Sequence, residues 1–324
     1  MSREFEEHVS EPANDRRDAA RRDGRGGTEG DGVVGAGHRE EGTPAFTAPP
    51  LSCDSHFHVF GPAERYPYGT DIRYKPPLAP LEEFLKLARH LGCQRFVFVQ
   101  PSAYGRDNAC MLDAMREVGA SKCRGIVDID ENAPDGEMER LNRAGVRGVR
   151  INVNPIKPPE PGFSKTMLAR IERLDARCSE IGWMLDFLTP GWLTRELLPV
   201  MKKLKSRFSV AHMGMFLAKD GPKQPGFQEF LGLLRDSGDR CWVKFTGVYR
   251  MSAAPGFADA APMARAIIEA APDRIIWGSD YPHLSFADKV GSVALFNLLG
   301  QWAPDAATRK RILVDNPQVL FGFR

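Results

Sequence analysis

Residues 80–100, PLEEFLKLARHLGCQRFVFVQ, read as one structural unit and decide the fold. Leu81, Phe84, Leu85 and Ala88 recur at helical spacing and lay an apolar stripe along 80–91. Gly92 follows, the residue type that most often ends a helix in a left-handed conformation. Residues 95–100 then form a short apolar run of phenylalanine and valine, the composition of a buried strand. A helix that runs through a glycine into a buried strand is half of a parallel β/α repeat.

The pattern recurs on both sides. Strands are expected at 51–56, 95–100, 125–129, 146–153, 183–188, 208–212, 241–246 and 274–278. Helices are expected between them at 80–91, 108–118, 134–144, 165–181, 195–205, 227–236 and 262–271, with a final helical region over 290–320. Gly119, Gly145 and Gly182 repeat the stop signal of Gly92. Eight strands with helical crossovers point to an α/β fold closed as a (β/α)8 TIM barrel, over residues 47–324. No glycine-rich phosphate loop follows the first strand, which argues against an open dinucleotide-binding sheet. Residues 1–46 hold seven arginines, no lysine and eleven acids, and are expected to be a disordered tail because they have little apolar surface to bury.

Bulk properties exclude several classes. The chain of 324 residues carries a formal net charge of +2, with −4 in the first 46 residues, so neither nucleic acid nor an anionic membrane is an expected partner. The +6 left on the folded part suits a small anionic substrate. Six cysteines without a Cys-x-x-Cys pair read as reduced thiols of a cytoplasmic protein. No apolar run approaches the ~20 residues of a membrane helix.

Of seven histidines, His8 and His38 fall in the tail and His90 near a helix end, solvated. The other four follow strands: His56 and His58 the first, His212 the sixth, His283 the eighth, joined there by Asp280. In a barrel these positions converge on one rim, where such folds build active sites. Alternation in Asp54-Ser55-His56-Phe57-His58 turns both imidazoles to the barrel axis and Phe57 away. A carboxylate flanked by histidines can bind a metal or take a proton from water. The acids Asp128, Asp130 and Glu131 read as a solvated loop, Lys202, Lys203 and Lys205 as a solvated helix face, and Arg147 as facing the outer layer. The segments 154–163 and 219–226 are expected to border the pocket mouth.

These motifs, with VQPSAYGRDN at 99–108, GVRGVRIN at 145–152, WGSDYPH at 277–283 and VDNP at 314–317, resemble the amidohydrolase superfamily in its amidohydrolase-2 branch. Within it the chain is similar to the 2-pyrone-4,6-dicarboxylate lactonases, sulfomuconolactone hydrolases and galactarolactone isomerases. The resemblance covers the chain from about Pro49 to its end. It implies Asp280 as the general base that activates water, and His56, His58 and His212 as the groups that polarise the scissile carbonyl of a small carboxylated lactone. It implies Arg150 and Arg250 as carboxylate binders, with Tyr74, Ser102, Tyr104 and His283 beside the substrate.

Metal-dependent members of the superfamily usually add a histidine at the end of strand five, whereas 183–190 here holds none and only Asp186 could stand in for it. Strand four offers Arg150 and Asn152, which are poor ligands. The expectation is therefore no required metal; the alternative is Zn2+ held by His56, His58, His212 and Asp280. Competing readings are a zinc-dependent amide hydrolase or decarboxylase, a sugar-acid lactone isomerase, and a silent barrel that only binds a metabolite. The intact rim residues argue against the last.

Overall fold

The structure is a computed structural model that describes residues 42–70, 72, 74, 76–153 and 163–324. Eight parallel strands follow chain order around one sheet: β1 Cys53–Phe57, β2 Arg95–Val99, β3 Cys123–Val127, β4 Val146–Asn152, β5 Met184–Leu188, β6 Phe208–Val210, β7 Cys241–Phe245 and β8 Ile275–Trp277. Every expected strand is present. The helices are α1 Leu81–Leu91, α2 Ala109–Val118, α3 Asp135–Arg143, α4 Phe163–Ile181, α5 Gly191–Met201, α6 Pro225–Asp236, α7 Ala261–Ala270 and α8 Ser292–Trp302. Gly92 caps α1 with φ of 81°, as its position predicts.

The sheet closes through the very motifs that carry the histidines. Asp280 N–H donates to the His56 carbonyl at 2.8 Å, and His58 N–H to the Tyr281 carbonyl at 2.8 Å. The Asp54 carboxylate reaches across the same seam and accepts from Ser279 N–H at 3.0 Å. Gly278 is required here: a Cβ on it would lie 2.5 Å from the His56 nitrogen. The result is the (β/α)8 barrel expected from the repeats.

Two cores follow from the strand alternation. Outward side chains meet the helices, as where Phe57 stacks on Phe84 with ring centroids 3.5 Å apart. Inward side chains in the lower barrel form an apolar plug that includes Cys53, Val97, Trp242 and Ile276. The chain end seals that floor. The Arg124 guanidinium lies over the Phe323 ring at 4.6 Å and donates to the Phe321 carbonyl at 3.0 Å. Such a filled floor leaves the opposite, C-terminal rim for chemistry.

Several expectations are corrected. The packed chain begins before residue 47: Phe46 stacks on Phe296 at 4.4 Å, and Ala45 N–H donates to Asn297 Oδ1. The expected tail otherwise lies outside the described residues, as does most of the 154–163 segment. Helix α5 sits four residues earlier than expected because Pro190, extended at ψ of 154°, marks its start. Lys202 and Lys203 are therefore exposed in the turn after the helix and not on its face. The final helical region is interrupted at Pro304, which cannot donate to a helical ladder, and resumes as α9 Ala306–Lys310 and α10 Asn316–Phe321. The acids after β3 are not simply solvated, since Arg170 binds Asp128 at 2.9 Å and Arg173 binds Glu131 at 3.2 Å.

Candidate active site

Asp280 stands at the centre of the upper rim. His56 Nε2 lies 3.4 Å and His58 Nε2 3.8 Å from its Oδ1, and His212 Nε2 lies 3.9 Å from its Oδ2. All four residues are buried. Nitrogen and oxygen atoms of His56, His212 and Asp280 come within 4.8 Å of one another, close enough to share one ion or one reacting oxygen. Alternation puts His56 and His58 on one side of the strand end, with ring centroids 5.2 Å apart. The rim is locally strained. His212 and Asp280 hold φ values of 52° and 57°, a region that non-glycine residues enter at a cost of ~1–3 kcal/mol and that clusters at functional sites.

Each imidazole is oriented from behind. His58 Nδ1 is 2.8 Å from the Val99 carbonyl, so it must donate, which leaves a lone pair on Nε2. His212 Nδ1 is 2.7 Å from the Thr246 hydroxyl. Gly247 makes room for that ring, since a Cβ there would stand 2.4 Å from His212 Nδ1. His56 Nδ1 faces Lys244 Nζ at 3.2 Å, and its Nε2 has no hydrogen-bond partner among the described residues.

Burial pushes all three histidines down, His58 to about 3 and His212 to about 4, so the rings are neutral near pH 7. Burial alone would raise the Asp280 carboxyl. His212, Arg250, His58 and the Tyr249 hydroxyl outweigh it and hold that carboxyl well below the usual carboxylate range. Tyr249 donates to Asp280 Oδ2 at 2.6 Å, and Arg250 Nε lies 3.4 Å from the same oxygen. A carboxylate that stays charged among neutral imidazoles is equipped to take a proton and to return it.

The flanking candidates divide. Arg150 is buried on β4, donates to the Gln100 carbonyl, and has an Nε with no hydrogen-bond partner among the described residues. Tyr74 meets Ser102 at 3.2 Å and lies within electrostatic reach of both Arg150 and Arg250. Tyr104, by contrast, accepts from Gly61 N–H with its hydroxyl and packs among Phe60 and Tyr68. His283 is fully buried, with Nε2 3.2 Å from both the Ser279 carbonyl and the Ser292 hydroxyl, in the wall behind Asp280. His90 is exposed and meets the Gly42 carbonyl at 3.0 Å, and Arg147 is tied to Asn142 away from the rim.

Sequence reasoning passed over Lys244, Thr246 and Tyr249. Lys244 has no exposed surface and meets Asp186 Oδ1 at 2.7 Å, also inside the barrel. The available signal was alternation along β7, which turns Trp242, Lys244 and Thr246 to the same inward face.

Comparison with known proteins gives a consistent picture. The amidohydrolase family model matches residues 53–323. A 4-sulfomuconolactone hydrolase from Hydrogenophaga intermedia is 36% identical over 281 residues, 86% of this chain and 90% of that protein. A 2-pyrone-4,6-dicarboxylate hydrolase from Comamonas testosteroni is 31% identical over 288 residues, covering 86% and 92%. A crystal structure of an Agrobacterium tumefaciens protein in its apo form superposes with a TM-score of 0.75 at 32% identity, covering 87% of this chain and 99% of that one.

Proposed function

This chain belongs to the amidohydrolase family, and we propose that it is a lactonase that opens a small lactone bearing one or more anionic groups. The observation that carries this reading is the ring of three imidazole nitrogens 3.4–3.9 Å from the carboxylate oxygens of a buried Asp280. Arg150 and Arg250 stand beside it as cations for the substrate's anionic groups. Relatives that open 4-sulfomuconolactone and 2-pyrone-4,6-dicarboxylate support the class.

The chemistry follows from the geometry. Asp280 takes a proton from a water molecule as that water attacks the lactone carbonyl carbon. The His58 Nε2 lone pair faces Asp280 Oδ1 and helps to hold that water as an acceptor. An imidazole N–H from His56 or His212 donates to the carbonyl oxygen as it gains negative charge, a stabilisation made strong by burial. The tetrahedral intermediate collapses by breaking the ring C–O bond, and Asp280 returns its proton to the departing oxygen. One water is consumed, and one hydroxyl or enol and one carboxylic acid are formed, the acid then ionising and releasing its proton to solvent.

The family also includes metal enzymes, and His56, His212 and Asp280 lie close enough to group around an ion. The rest of the donor set fits a cation poorly. Strand β5 offers no histidine, and its Asp186 is already paired with Lys244 at 2.7 Å. Arg150, Lys244 and Arg250 add positive charge on three sides of the rim. We therefore assign the reaction to Asp280 and the imidazoles with no required metal. Six unpaired, buried cysteines suit a reducing cytoplasm, and the substrate class suits the breakdown of aromatic or sugar acids.

The test is ring opening of 2-pyrone-4,6-dicarboxylate and 4-sulfomuconolactone by the purified protein, with and without chelator, beside Asp280→Asn. Turnover that survives chelator and falls ~10²–10⁴-fold in Asp280→Asn is expected. Chelator-sensitive turnover with stoichiometric zinc would overturn the metal-free assignment. No turnover of either lactone, or an isomerised lactone as product, would overturn hydrolysis.

A further inference from the structure

Lys244 and Asp186 are out of place by ordinary packing rules. Both have no exposed surface, and a buried ion pair contributes no more to stability than a well-packed apolar pair would. The same barrel shows the apolar solution on either side of it, with Trp242 two residues earlier on β7 and Ile276 as the register partner of Lys244 on β8. Asp186 Oδ1 nonetheless accepts from Lys244 Nζ and from the Ser209 hydroxyl of the neighbouring strand, while its Oδ2 has no hydrogen-bond partner among the described residues. What distinguishes Lys244 from a filler is its third contact, His56 Nδ1 at 3.2 Å.

That contact has a chemical consequence. An ammonium group can donate and cannot accept, so the nitrogen it faces must offer a lone pair. The imidazole proton of a neutral His56 then has one position left, on Nε2. That atom is buried, has no hydrogen-bond partner among the described residues, and lies 3.4 Å from Asp280 Oδ1. His58 is set the opposite way by the Val99 carbonyl, with its proton on Nδ1 and a lone pair on Nε2. Two histidines two residues apart thus present opposite faces to the same small space. One is a donor suited to a carbonyl oxygen, the other an acceptor suited to water.

We propose that Lys244, held by Asp186, is a positioning residue that fixes the His56 proton on Nε2, so that His56 enters the reaction as a hydrogen-bond donor. Its role in turnover rests on the lactonase reading; the position of the proton does not. The same arrangement denies His56 Nε2 to a metal ion, because that nitrogen has no lone pair to give.

The experiment combines a spectroscopic and a kinetic arm. Protein labelled with 15N at histidine is examined near pH 7 by long-range 1H–15N correlation, with the His56 signals assigned by their loss in His56→Gln. Lys244→Met removes the donor. The double variant Asp186→Asn/Lys244→Met removes the whole pair without leaving a buried charge, which keeps the test available if the single variant fails to fold. The expected wild-type spectrum is the Nε2–H tautomer for His56 and the Nδ1–H tautomer for His58. In the variants His56 should become a mixture or move to Nδ1–H. kcat on the lactone should fall ~10²-fold, the scale of losing one oxyanion donor, while KM changes by less than about threefold. A purely structural pair would lower thermal stability and leave the tautomer alone. The proposal is overturned if wild-type His56 carries its proton on Nδ1, or if the variants keep the Nε2–H pattern. Should the wild type open no lactone, the nitrogen spectra decide the proposal by themselves.

Discussion

The seam between β8 and β1 leaves no room for a side chain at Gly278, and Gly278→Ala tests it. A Cβ built on Gly278 lies 2.5 Å from the His56 nitrogen, 2.7 Å from its Cβ and 3.0 Å from its Cα. Ordinary contact begins at 3.4 Å, so the added methyl must push His56 back by close to an ångström. No side chain can rotate away, because two of the three atoms are backbone and the third is fixed to it. The displacement therefore falls on the Asp280 N–H to His56 carbonyl bond and on the 3.4 Å approach of His56 Nε2 to Asp280 Oδ1. A misplacement of ~1 Å in a catalytic constellation can cost ~10²-fold in rate. Overpacking of this kind costs ~1–3 kcal/mol in stability. At roughly 2–4 °C per kcal/mol for a large domain, that lowers Tm by roughly 2–12 °C. The assay is kcat/KM on an opened lactone together with a thermal melt, with Gly136→Ala in α3 as control because a Cβ there meets nothing within 4 Å. If Gly278→Ala keeps kcat/KM within threefold and Tm within a degree of wild type, the seam does not position His56 and the account of the rim is wrong.

Three further outcomes are expected. First, kcat/KM should be flat from pH 8 down to about 5 and fall only as His212 takes a proton near its lowered value of about 4, because Asp280 stays ionised still lower; an acid limb centred at ~6.5, the ordinary histidine value, would refute neutral, buried rings. Second, burial pushes the Asp54 carboxyl up to about 7 against the hydrogen bonds from Ser279 and His56, so the stability that its protonated form contributes is present below about pH 4 and is lost as pH rises toward 7. Asp54→Asn should therefore melt above wild type at pH 8 by up to about 4 kcal/mol, with the gap closing toward pH 4, and a gap independent of pH would count against the shift. Third, Tyr249→Phe removes the 2.6 Å donor to Asp280 Oδ2 and should raise the Asp280 carboxyl, read by 13C NMR titration of that group, while the acid limb set by His212 stays in place and kcat at pH 8 stays within tenfold; an unmoved Asp280 titration would show that Tyr249 does not tune the carboxylate.

The fold was legible because its signals are local. Gly92, the apolar stripe of α1 and the run at 95–99 lie within twenty residues, and that unit repeats until eight strands are counted. The rim histidines were legible for the same reason, since alternation about Phe57 is a property of five consecutive residues. Lys244 was not legible. In Cys241–Phe245 it reads as one charge inside an apolar strand, and its meaning lies in Asp186, 58 positions away, and His56, 188 positions away. Tyr104 misled in the other direction. It follows a strand as a substrate-binding tyrosine should, yet its hydroxyl is taken by the Gly61 amide. Position on a strand end is a local fact, whereas the direction of a hydroxyl is settled by what packs around it.

The same distinction explains why residue types alone leave the metal question open here. A His-x-His pair with a third histidine and an aspartate describes a metal centre and a metal-free proton relay equally well. What separates them is which ring nitrogen holds a lone pair, and that depends on atoms behind the rings. The Val99 carbonyl leaves His58 Nε2 an acceptor, and Lys244 makes His56 Nε2 a donor. A carbonyl behind both rings would have turned both Nε2 atoms into ligands. One buried lysine, neutralised by one buried aspartate, is enough to change what the same four rim residues can do.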